Sequence, residues 1–153
     1  MILARLLLAG LAASALAPAF EGNSFAEKFE ALPKAVQETA TAHMDHAFPV
    51  SVISAKGEQG WNYQVNTRLD GKYHDLVIDE TGKLVAVKDE TELASLPPAA
   101  KAALEKQAAT AKIVTLEKVT EGAQVSYGAV MKDAAHGTVV QLRVNADGTL
   151  RSK

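Results

Sequence analysis

The sequence predicts an α+β fold of two tandem repeats, each one helix packed on one face of an antiparallel β-sheet of about three to four strands. Three observations predict it. The stretch His74 to Ala86 places Leu76 and Ile78 two apart, turns through Asp79-Glu80-Thr81-Gly82 and restarts apolar, which reads as strand, turn and second strand. The same layout returns from Val140 to Ser152, where Val140, Leu142 and Val144 lead into Asn145-Ala146-Asp147-Gly148. Sliding the chain on itself by 64 positions also puts Leu32-Pro33 on Leu96-Pro97, Val36 on Ala100, Ala40 on Leu104 and Tyr63 on Tyr127. Beyond Tyr127 the offset is 66, so two extra residues fall around Asp133 to Gly137. A period this long suggests two copies of a small unit rather than a many-copy solenoid.

The chain opens with an export signature. Met1 to Ala19 carries one cation, Arg5, an apolar run from Leu6 through Ala13, and small residues at Ala17-Pro18-Ala19, so cleavage is expected before Phe20. A transmembrane helix fits less well, because the run is short and a polar segment follows it. The expected organisation is therefore a signal peptide over residues 1–19, a first repeat over 20–91 and a second over 92–153, in a periplasmic or secreted bacterial protein without membrane insertion after cleavage. Removing 19 of the 153 residues leaves 134, enough for one compact domain or two packed repeats. There is no Cys, so no disulfide supports the fold in an oxidising compartment. The mature balance of 15 basic against 18 acidic residues contains no Lys/Arg block and argues against nucleic acid as a partner.

Ser24-Phe25-Ala26-Glu27 has capping-box spacing and starts a short helical turn carrying Phe25 and Phe29. Pro33 is expected at the first position of a helix running to about His46, with Leu32, Val36, Ala40 and Met44 as its apolar stripe. Val50 to Ala55 reads as a short strand. Trp61, Tyr63, Val65, Thr67 and Leu69 alternate with polar residues as a half-buried strand, placing Trp61 and Tyr63 in the core beneath the helix. Asp70-Gly71 turns the chain into Tyr73 to Asp79. Leu84 to Val87 is expected as an edge strand and Lys88 to Glu92 as an acidic linker. An Ala-rich helix follows Pro97-Pro98, then strands at Lys112 to Val119, Val125 to Met131 and Thr138 to Asn145, with a stub at Leu150.

Catalytic signatures are missing: the sequence holds no Gly-x-Ser-x-Gly, no His-Glu-x-x-His, no phosphate-binding glycine loop and no Cys nucleophile. No catalytic residue and no cofactor is expected. His43 and His46, with Asp45 between them, are the weak metal candidates, since two His three apart on a helix end could share a Zn or Cu ion. They equally fit an exposed helix C-terminus, where the dipole favours a protonated His. The second repeat has Gln107, Ala109 and Thr110 at those positions, which favours the helix-end reading.

One sheet face in this scheme has no helix over it. The alternation puts Gln64, Asn66, Arg68, Tyr73, Asp75 and Val77 there in the first repeat, and Ser126, Gly128, Val130, Lys132, Gln141 and Arg143 in the second. Such a mixture suits a protein-binding surface and also a solvated sheet face. Arg68, Tyr73, Val77, Gln141 and Arg143 are the candidate partner-binding residues, with Tyr73 and Val77 as apolar anchors; an edge strand such as Leu84 to Val87 is the alternative route, recruiting an extended peptide by strand addition.

The Leu-Pro helix start, the Tyr-centred strand and the Gly-terminated acidic hairpin, repeated behind a signal peptide, resemble the PepSY and PepSY-like domains. These exported bacterial modules are similar in layout to the tandem-repeat β-lactamase inhibitor proteins, and the resemblance covers nearly all of Phe25 to Lys153. It implies a non-enzymatic binding or inhibitory role, such as peptidase regulation, toward a protein or peptide of the cell envelope. It supplies no catalytic residues, and the lack of Cys departs from inhibitors of that layout that rely on disulfides. The alternative function is a periplasmic small-ligand or metal-binding module.

Overall fold

The computed structural model describes residues 24–151; the expected signal peptide lies outside them. Ser24 caps α1 (Phe25–Glu30) through the expected capping box, its Oγ accepting the Glu27 N–H at 3.3 Å while Glu27 Oε2 accepts the Ser24 N–H at 3.1 Å. Phe25 and Phe29 stack one turn apart with ring centroids 5.3 Å apart. Pro33 precedes α2 (Lys34–His43) as its N-cap, one residue earlier in the helix frame than expected. Pro98 does take the first helical position of α3 (Pro98–Gln107), where its missing N–H costs nothing.

Seven strands follow the two-residue period: β1 (Phe48–Gly57), β2 (Gly60–Leu69), β3 (Lys72–Asp79), β4 (Leu84–Glu90), β5 (Ala111–Glu121), β6 (Gln124–Asp133) and β7 (Val139–Asn145). They form one antiparallel sheet in sequence order. This corrects the predicted fold class: the chain is a single seven-stranded meander, not two tandem units each with its own helix-covered sheet. The join is made by the supposed linker. Val87 to Glu90 pair with Glu117 to Thr120, so β4 is an internal strand and not an edge.

Polarity misled here because each charge of that segment has a partner inside the sheet. Asp89 Oδ1 lies 2.6 Å from His74 Nδ1, Lys88 donates to Gln64 Oε1 at 3.2 Å, and Glu90 Oε2 accepts the Tyr73 N–H at 3.1 Å. A strand rich in charge survives when its neighbours satisfy it.

The register places both long helices on the same face of this sheet. Beneath α2, Leu32, Val36 and Ala40 pack with Tyr63, Val65, Leu76 and Ile78, and Trp61 borders the cluster half-buried. Beneath α3, Leu96, Ala100 and Leu104 pack with Leu116, Tyr127, Ala129, Met131 and Val144. Fully burying a side chain such as Leu76 or Leu104 stabilises by about 1.5–3 kcal/mol.

Two hairpin tips fix the helices on the sheet. Gly82 and Gly148 adopt φ of 88° and 82°, a region open to Gly. Each also sits against the first turn of a helix: an added Cβ would lie 2.8 Å from the Ala35 carbonyl oxygen at Gly82 and 2.7 Å from that of Ala99 at Gly148. Thr39 Oγ1 donates to the Gly82 carbonyl at 2.5 Å, completing the first of these contacts.

Candidate functional site: the helix-free sheet face

Antiparallel register carries residues of one face across the sheet in rows. One row runs Phe48, Arg68, Tyr73 over β1 to β3 and continues as Glu90, Glu117, Gly128, Arg143 over β4 to β7. The next runs Ser51, Asn66, Asp75, Lys88, Val119, Ser126, Asn145. A third begins Ile53, Gln64, Val77, Ala86. The strand phase read from the sequence therefore places Arg68, Tyr73, Val77, Gln141 and Arg143 on one face, opposite both long helices.

Their environments differ. Tyr73 is 45% exposed, and the Arg68 guanidinium carbon stands 3.5 Å from its ring centroid in a cation–π stack. Arg68 also donates to the Gly71 carbonyl at 3.3 Å and lies 4.0 Å from Glu90. Gln141 is exposed near the start of β7. Val77 is only 1% exposed: with Ala86 and Val119 it forms a third apolar cluster on this face, so it is floor rather than a protruding anchor. Arg143 is committed within the chain, donating to Glu121 Oε1 at 2.9 Å, while Arg151 donates to Glu121 Oε2 at 2.7 Å.

Where β3, β4 and β5 meet, the face dips into a depression of roughly 200 Å³ lined by Tyr73, Asp75, Lys88, Glu90, Thr115, Leu116 and Glu117. Asp75 accepts the Thr67 backbone N–H at 3.3 Å and the Gln64 amide at 3.2 Å. Burial pushes its carboxyl above the usual range, and the Glu117 charge adds to the rise, against lowering by the Thr67 N–H, Lys88 and Gln64. Glu121 behaves oppositely. Burial alone would raise it, but hydrogen bonds and charge from Arg151 and Arg143 outweigh burial and hold it below the usual range.

The histidine candidates do not converge. His46 Nε2 lies 3.7 Å from Asp45 with both side chains in solvent, while His43 ends α2 and offers its carbonyl, 3.4 Å from His74 Nε2. Among the described residues, no three His, Cys, Asp or Glu side chains gather as a metal site.

Glu121, Lys88, Glu90 and Arg151 belong to this face without any sequence signal. Their partners come from other strands, and the register that joins them depends on the β4–β5 pairing.

Solved bacterial structures share this architecture. A DUF2874 family protein from Bacteroides uniformis matches with a TM-score of 0.62 at 16% identity, over 77% of this chain and 85% of that one. A candidate periplasmic protein from Bacteroides eggerthii matches at 0.64 and 12% identity, over 78% and 85%. A BLIP-like protein from Bacteroides fragilis matches at 0.57 and 16% identity, over 79% and 84%. The likeness is one of fold. No family model matches the chain, the PepSY models included, and no curated protein sequence matches it. The resemblance read from the sequence therefore holds at the coarser level of a BLIP-like layout. Among the described residues no helix is long and apolar enough to cross a membrane.

Proposed function

We propose that this chain is an exported, non-enzymatic binding module that docks a protein of the cell envelope on the helix-free face of its sheet. The observation that carries the reading is the Arg68–Tyr73 stack, half-exposed at the rim of the depression. Tyr and Arg contribute a disproportionate share of interface energy, and a pre-stacked pair loses little side-chain freedom on binding. The export signature of residues 1–19 and the fold shared with a candidate periplasmic protein support the compartment. The BLIP-like fold relationship supports a protein rather than a small ligand as partner, and the PepSY-like sequence motifs make peptidase regulation the finer form of the proposal.

The test is capture of envelope proteins on immobilised wild type and on an Arg68→Ala, Tyr73→Ala double variant. Arg143 is left intact because Glu121 depends on it. The double variant should lose the captured species while thermal unfolding stays within a few degrees of wild type, about 1 kcal/mol or less. Undiminished capture by a folded double variant would refute the proposed face.

A further inference from the structure

The two edges of the sheet are not alike. At β7 the C-terminal residues close half of the edge, since Leu150 bridges Val144 and the Arg151 N–H donates to the Arg143 carbonyl at 2.8 Å. At β1 nothing among the described residues pairs with the outer side of the strand, whose ladder is with β2 alone. Phe48 to Ala55 carries no charge, and Phe48, Val50 and Ile53 are 72%, 48% and 39% exposed. Soluble proteins guard such edges with charges, Pro or bulges, because unpaired backbone groups recruit another strand. Here Pro49 and the irregularity between Pro49 and Ser51 protect one end only. α1 packs against β1 on the helix-covered face, where Phe25 and Phe29 join Val52, but among the described residues no backbone group bonds the outer side of Ser51 to Gly57.

We infer that β1 pairs with β1 of a second copy of this chain, in antiparallel orientation about a two-fold axis near Ser54. An isologous contact needs one strand to complement itself, and this stretch does. Centred on Ser54, the pairing sets Val52 opposite Lys56 and Ile53 opposite Ala55. The only charge of the strand, Lys56, then meets an apolar residue, and the two copies of Lys56 stand roughly 13 Å apart. The two Ile53 side chains become diagonal neighbours on the helix-free face. The axis stands perpendicular to the sheet, so the two sheets of seven strands continue as one of fourteen. Both helix-free faces lie on the same side of it. The inference rests on the edge, not on the docking reading of the face, and either can fail alone.

Sedimentation equilibrium of the purified protein over a range of concentrations tests it, with Ile53→Lys on β1 and Val139→Lys on the opposite edge. Wild type and Val139→Lys should reach the dimer mass, while Ile53→Lys should shift the equilibrium toward monomer by at least about tenfold. A wild type that stays monomeric throughout overturns the inference. So does a dimer that resists Ile53→Lys or yields to Val139→Lys. If Ile53→Lys loses the native thermal transition, hydrogen exchange of wild type decides: protection of Ser51 to Gly57 amides that falls on dilution supports β1 pairing, and protection independent of concentration overturns it.

Discussion

Gly82 shows how much a single residue can hold. Its positive φ alone would tolerate Ala at a cost of about 1–2 kcal/mol. The Ala35 carbonyl and Cβ, 2.8 and 2.7 Å from where a Cβ would stand, add an overlap with backbone that cannot turn aside. Gly71 separates the two effects, because its φ is 80° and an added Cβ there meets nothing within 4 Å. We expect Gly71→Ala to cost about 1 kcal/mol and Gly82→Ala about 2–4 kcal/mol, measured by urea unfolding. Equal costs would mean that the hairpin tip does not bear on α2. The paired carboxylate of Glu121 offers a second test. Its folded pKa lies below the ordinary 4.5, so the stability it contributes is present above that value and is lost as pH falls through the folded pKa. Glu121→Gln should destabilise more at neutral pH than in acid below the folded pKa, where wild type has lost the contribution. Asp75 runs the other way: raised by burial, it lowers stability as pH climbs through its folded pKa, and so opposes Glu121 on the acid limb.

At the scale of elements, much was legible because most of the signals were local. The period-two run of β2, the Asp70-Gly71 turn and the Leu-Pro starts of both long helices each specify their structure within a few residues. The capping box at Ser24 did the same for α1. What could not be read was the partner of β4. Polarity over Lys88 to Glu92 suggests a linker only when each side chain is considered alone. Once Asp89 meets His74, Lys88 meets Gln64 and Glu90 meets Arg68 and the Tyr73 N–H, the same residues make a strand. The candidate face was legible to the same depth. Alternation placed Arg68, Tyr73, Val77, Gln141 and Arg143 on it, whereas the burial of Val77 and the commitment of Arg143 to Glu121 depend on contacts across several strands. Arg68 on Tyr73 is the exception, a pair joined by a two-residue turn and therefore close to readable.

For the whole molecule, the continuous sheet changes how the chain should unfold. Two units with separate sheets would melt separately when one is weakened. Here Val87 to Glu90 pair with Glu117 to Thr120, and Val77, Ala86 and Val119 pack across that junction on the helix-free face. Opening either half would strip the backbone partners of the other and expose this cluster, a penalty that couples the clusters under α2 and α3. Leu76→Ala beneath α2 and Leu104→Ala on α3 remove fully buried side chains of one chemistry, and each should cost about 2–5 kcal/mol. Calorimetry should show one transition in wild type and in both variants, moved to lower temperature in each. Were Leu76→Ala to split the trace, with the part containing Leu104 melting at the wild-type temperature, the β4–β5 pairing would be too weak to make the sheet one cooperative body.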